Sequence, residues 1–62
     1  MNLTAYTDKS ANSNGWEGFV AAKISKNDTV PIYTLSTGVS RKSRGDAKRD
    51  ANLLLRDLSE ST

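Results

Sequence analysis

The sequence predicts an α+β fold: a three-stranded antiparallel β-sheet packed by one C-terminal α-helix, in the order β-β-β-α. Three observations carry this reading. Short runs rich in Thr, Tyr, Val and Ile are separated by clusters of Asn, Gly, Asp and Ser, as in strands joined by tight turns. The last part of the chain places apolar residues at helical spacing. A meander with one apolar side also needs a cover, and the chain offers a single amphipathic helix to supply it.

Residues 3–8, LTAYTD, alternate Leu3, Ala5 and Thr7 against Thr4, Tyr6 and Asp8, and read as the first strand. KSANSNG (9–15) is a turn, because Asn14 and Gly15 both tolerate positive φ. WEGFVAAKIS (16–25) is a second strand, with Trp16, Val20, Ala22 and Ile24 on one face and Glu17, Phe19, Ala21 and Lys23 on the other. KNDT (26–29) turns the chain into VPIYTLST (30–37), a third strand rich in β-branched residues. Pro31 has no N–H for a ladder, so it belongs on an edge or among the first residues of a strand. Such an edge leaves pairing with a second copy, and hence the oligomeric state, open.

Gly38 is expected to end the third strand, and VSRKS leads into the helix. Ser43 followed three residues later by Asp46 resembles a capping box, with the aspartate favoured at the positive helix end. Over about 44–58, Ala47, Ala51, Leu54, Leu55 and Leu58 form one apolar stripe, expected to pack on Val20, Ala22 and Ile24. Lys48, Arg49, Asn52 and Arg56 lie opposite that stripe, and the final SEST is expected to fray.

With 62 residues, the chain is read as one small domain, 1–62. A chain of this size buries only about 60% of its unfolded surface, so single losses of packing matter. A 35% hydrophobic and 26% charged composition stands above the disordered regime. There is no cysteine and no histidine. That removes disulfides, thiolate metal sites, the commonest zinc ligand and the commonest general base. No apolar run approaches the roughly 20 residues that cross a bilayer, and MNLTAYTDKS lacks the basic-then-apolar pattern of a secretory signal. The expectation is a cytoplasmic protein with no membrane partner. A net charge of +2 and a pI near 9.2 are too mild to mark a nucleic-acid binder by themselves.

Asp8 poses the question of chemistry. YTDKS in the first strand, NGWEGFVAAKI in the second and GDAKRDANLLLRDL in the helix are similar to the first half of the ribonuclease H fold. That resemblance implies a metal-holding aspartate at Asp8 and a helix glutamate in an Ala-Glu-x-x-Ala-Leu stretch. Here the stretch reads AKRDAN, which puts Lys48 at the glutamate position, and Lys9 stands where glycine usually follows the aspartate. Two-metal hydrolysis needs several carboxylates around ions roughly 4 Å apart, and a lysine among them repels the metal. Nor is there a histidine to activate the many hydroxyls. The expectation is therefore no enzyme, no metal and no cofactor, with Asp8 a solvated residue.

SRKSRGDAKR (40–49) concentrates Arg41, Lys42, Arg44, Lys48 and Arg49 across a loop and the first helical turns. Arginine forks and free helix-start amides suit phosphate oxygens, with Ser40 and Ser43 as added hydroxyl donors. In element order and basic helix start the chain resembles the arm-binding domains of tyrosine recombinases, which lay a sheet in a DNA groove. It also resembles double-stranded RNA-binding domains. A competing expectation is a solvated face in which Arg49 pairs with Asp46. Phe19 and Tyr33, if they share the open sheet face, form a secondary surface for bases or a protein. Two functions follow as expectations. One is a non-catalytic module binding nucleic acid, DNA or RNA. The other is a small inhibitor, of the kind viruses of bacteria direct at host defence or transcription machinery including CRISPR complexes, docking on an acidic host protein surface.

Overall fold

A computed structural model of the chain describes residues 2–11, 14–25 and 27–60. The elements are β1 (Asn2–Lys9), β2 (Trp16–Lys23), β3 (Tyr33–Arg41) and α1 (Arg44–Glu60). β2 is the central strand and pairs antiparallel with both neighbours, giving the expected α+β architecture. Gly15 lies in the turn between β1 and β2, where its carbonyl accepts the Ser10 N–H at 3.0 Å. Neither Asn14 nor Gly15 takes the positive φ expected of them; Gly15 is instead needed for close approach, since a Cβ there would stand 2.6 Å from the Arg41 carbonyl oxygen. Residues 12, 13 and 26 of the expected turns lie outside the described residues.

Cross-strand partners share a face. The register therefore groups Leu3, Ala5, Thr7 and Lys9 with Trp16, Gly18, Val20 and Ala22, and with Tyr33 and Leu35. α1 covers this face. At its centre the approach is close: a Cβ on Gly18 would stand 2.5 Å from the Ala47 carbonyl oxygen and 3.0 Å from the Ala51 Cβ. Only a glycine on the strand and alanines on the helix allow that distance.

The core is correspondingly thin. Ala5, Val20, Ala21, Ala22, Ala47 and Ala51 are the buried apolar residues, and Val20 is the largest side chain fully enclosed. Leu54, Leu55 and Leu58 continue the apolar stripe of Ala47 and Ala51 but stay half-buried. Ile24 departs from the expectation: it lies past the end of β2 and is 74% exposed. Ala21 is buried on the opposite, open face, where Thr29 and Pro31 of the β2–β3 connection line a depression with it.

The third strand is displaced from its expected position. It begins at Tyr33 rather than residue 30, since β2 ends at Lys23; Val30 and Ile32 are exposed, and Ile32 keeps one backbone bond to β2, from its N–H to the Ala22 carbonyl. It also runs through Gly38 instead of stopping there. Ser40 pairs with Glu17 and Ser36 with Phe19, so residues 37–39 stand against Gly18 alone. This is a bulge, and the φ of 77° at Gly38 is the left-handed conformation that glycine takes without a Cβ penalty.

The helix start is as expected. Ser43 Oγ accepts the Asp46 N–H at 3.4 Å, and the Ser43 carbonyl accepts the Ala47 N–H at 3.2 Å. α1 continues to Glu60, so Ser59 and Glu60 of the predicted frayed end are helical, and residues 61–62 lie outside the described residues.

Gly18→Ala forces the backbones of β2 and α1 apart and is expected to cost about 1–3 kcal/mol. Val20→Ala removes two enclosed methyl groups and should cost about 2–3 kcal/mol, whereas the half-buried Leu55→Ala should cost about 1–2 kcal/mol. Urea denaturation of the three variants checks both the sizes and the order.

Candidate functional site

The basic segment does not form one surface; α1 divides it. Arg41, at the end of β3, donates its Nε to Asp50 Oδ2 at 2.7 Å and its Nη2 to Asp50 Oδ1 at 3.4 Å. That hydrogen bond, then the charge of Asp50, and then that of Asp46 hold the Arg41 guanidinium more firmly in its charged form. Asp46, Asp50 and Asp57 are spaced to share one helix flank, the one beside β3. Arg41, rather than the Arg49 of the solvated-face alternative, is ion-paired with this acidic stripe. Lys42 follows Arg41 and lines a depression with Asn14, Gly15 and Ser40.

Arg44 and Lys48 lie on the other flank, above β1. Arg44 Nε donates to Thr7 Oγ1 at 3.2 Å, and Lys48 Nζ donates to the Ala5 carbonyl at 2.7 Å. Lys9 joins them through the hairpin register, which sets it opposite Trp16. The Lys9 Nζ stands 5.8 Å and the Arg44 Cζ 5.6 Å from the centroid of the Trp16 ring. These three cations are thus held by a hydroxyl, a carbonyl and an indole, all uncharged. Arg49 and Arg56 continue the basic surface onto the outer face of α1, lining a shallow groove with Lys48 and Asn52. Arg56 is loosely paired with Glu60 at 3.9 Å.

Lys9 and Arg56 were not among the residues expected from the sequence to make contact. Arg56 was legible at seven residues from Arg49, two helical turns along the same face. Lys9 was not, since its place beside Arg44 depends on the hairpin register. Of the two serines, Ser43 is engaged as the helix cap, and Ser40 lies on the open face opposite Glu17.

The open face carries a different aromatic pair from the one expected. Tyr33 is the partner of Ala22 and so belongs to the helix side, across the sheet from Phe19. Tyr6 takes its place, stacked on Phe19 with ring centroids 5.2 Å apart and planes at 18°. Asp8 and Glu17 are cross-strand partners on the same open face. Glu17 accepts hydrogen bonds from the hydroxyls of Ser10 and Ser36, and Asp8 accepts the Lys9 N–H at 2.8 Å. Asp8 therefore lies across the sheet from Asp46, Asp50 and Asp57 of α1. Among the described residues no group of three or more His, Cys, Asp and Glu side chains is placed to hold a metal ion.

Comparison with protein-family models, with curated proteins and with solved structures finds no match to this chain.

Because Ser43 both caps α1 and fixes where Arg44 enters the site, Ser43→Ala is expected to cost about 1 kcal/mol of stability. Thermal denaturation followed by circular dichroism measures it.

Proposed function

We propose that the chain is a non-catalytic nucleic-acid-binding module that grips phosphates along the β1 edge and the outer face of α1. One observation carries this reading. Lys9, Arg44 and Lys48 converge on one edge with only uncharged partners among the described residues. A cation held by a neutral acceptor keeps its full charge for a ligand, and phosphate oxygens take charge-assisted hydrogen bonds from such groups. Arg49 and Arg56 extend the same field along the helix. Arg41, by contrast, is already engaged by Asp50. The open sheet face is a poor seat for a phosphate-lined groove, because Asp8 and Glu17 present like charge there.

DNA and RNA share the phosphate chemistry on which this reading rests. A cytoplasmic setting belongs to the same proposal; among the described residues no helix is long and apolar enough to cross a membrane. A second reading draws on the Tyr6–Phe19 pair of the open face, an exposed tyrosine stacked on a half-buried phenylalanine, since aromatics anchor protein interfaces. In it the chain is a small inhibitor of a bacterial defence or transcription complex, such as a CRISPR interference complex, and its cations meet an acidic host surface.

Titration of duplex and single-stranded DNA and RNA at two salt concentrations tests the first reading. Affinity for duplex DNA should fall by roughly 0.9 log units per log unit of salt for each phosphate neutralised. The double reversal Arg44→Glu with Lys48→Glu should abolish binding, while Arg41→Glu should change it little. Asp50→Asn, which releases Arg41 on the opposite flank, should likewise change it little. Emission from Trp16, the one tryptophan of the chain, should shift as Lys9 and Arg44 turn to phosphate. Undetectable binding at low salt defeats the proposal, and capture of a host complex through the Tyr6–Phe19 face then takes its place.

Asp8→Asn should leave binding unaltered, and magnesium should leave the melting temperature of the wild type unmoved. A specifically bound ion would raise that temperature by mass action. Metal-dependent cleavage of an RNA–DNA hybrid, lost in Asp8→Asn, is the result that would restore a catalytic role.

A further inference from the structure

The two edges of the sheet are built differently. Lys48 bonds the outward carbonyl of Ala5 on β1, with Lys9 and Arg44 nearby, and charge along an edge deters strand addition. β3 has no such guard. From Tyr33 to Ser40 it carries no charged residue and no proline, and every residue of the strand except Thr37 is exposed.

The peptide groups of β3 that face outward can be identified. Ser10 donates to Gly15, so the even-numbered residues of β1 turn their peptide groups to β2 and the odd-numbered ones turn outward, as the Ala5 carbonyl does. Alternation then turns Val20 and Ala22 toward β3, in agreement with the Ile32 N–H bond to the Ala22 carbonyl at 2.7 Å. Their partners Leu35 and Tyr33 face β2, and Thr34 and Ser36 point their N–H and C=O groups away from the sheet. The bulge beyond Ser36 confines the regular ladder to residues 33–36.

Above this edge on the helix side stand Tyr33 and Leu35, 41% and 39% exposed, and beyond them the acidic flank of α1. Within that flank Asp50 is taken by Arg41, whereas Asp57 has no ion-pair partner among the described residues.

We propose that the β3 edge receives an extended basic segment of a partner protein, which adds as a fourth strand. The outward amides and carbonyls of Thr34 and Ser36 supply its backbone bonds. Alternate side chains of the segment reach the helix side, where lysine or arginine meets the acidic stripe over the exposed Tyr33 and Leu35. Charge decides the occupant. A second copy paired here would bring a like acidic flank beside the first, whereas a basic segment is complementary to it. The phosphate-binding edge lies on the other side of the molecule, and this inference does not depend on it.

The test uses the full chain and two fluorescent synthetic peptides, one alternating lysine with valine and threonine, the other with glutamate in place of lysine. Anisotropy should show low-salt binding of the lysine peptide and not of the glutamate peptide. Thr34→Pro deletes one outward N–H, leaves the β2–β3 ladder intact, and should weaken binding by about fivefold to tenfold. Circular dichroism checks that this variant keeps its fold. Asp57→Lys, on the helix surface, should weaken binding independently of any change in the strand. Absence of lysine-peptide binding, equal binding of the glutamate peptide, or unchanged binding in both variants overturns the proposal. Sedimentation that finds a wild-type dimer and a Thr34→Pro monomer also overturns it, because the edge then belongs to a second copy.

Discussion

The close approach of α1 to β2 at Gly18 is the constraint on which the rest of the molecule depends. A Cβ there would stand 2.5 Å from the helix backbone, so the contact consists almost wholly of main chain and alanine methyls. Such a contact contributes little apolar area, and at about 25 cal/mol per Å² its hydrophobic return is small. Its effect is geometric. With α1 drawn down on the strand, Arg44 and Lys48 are close enough to β1 to bond Thr7 and Ala5, and Asp50 is close enough to β3 to bond Arg41. A helix held further out by leucines at positions 47 and 51 would lose all three contacts together.

The same placement turns the helix into a partition between charges. Its core stripe points at the sheet, the flank over β1 is basic, and the flank beside β3 is acidic. Arg41 is next to Lys42 and three residues from Arg44 in sequence, yet it belongs to the acidic side because it ends β3 before the chain turns. Sequence proximity makes 41–49 look like one cluster. A strand and a helix joined by two residues diverge at once, and neighbouring cations end on opposite sides of the helix axis.

The elements were legible where local chemistry decides them. The Ser43 cap and the spacing of Ala47, Ala51 and the leucines act within a few residues, and the helix they mark is present. The Asn14-Gly15 turn is also present, but without the positive φ that marked it in the sequence. What was not legible depends on pairing between distant segments. Val30 and Ile32 have strand-like side chains but lie outside the ladder, because the end of β2 sets where β3 begins. Gly38 reads as a stop and is instead a bulge, a distinction made only by the pairing of Ser40 with Glu17. The face occupied by Tyr33 follows from the same register: counted from residue 30 it can be assigned to either side, and only its pairing with Ala22 places it. The site shows the same pattern. Arg44, Lys48 and Arg49 were readable as exposed cations, but the engagement of Arg41 and the recruitment of Lys9 required contacts across the fold.

Net charge is consequently a poor guide to this surface. Nine cations and seven acids leave only +2, which by itself announces no partner. The two signs, however, are sorted onto flanks separated by a helix about 10–12 Å across, comparable to the screening length of about 8 Å at physiological salt. A ligand at the β1 edge feels Lys9, Arg44 and Lys48 with the aspartates largely screened. A ligand at β3 feels Asp57 and the exposed apolar residues with the lysines screened in turn. A nearly neutral chain can therefore present two strongly charged and independent edges, and the small-residue contact at Gly18 keeps the helix between them.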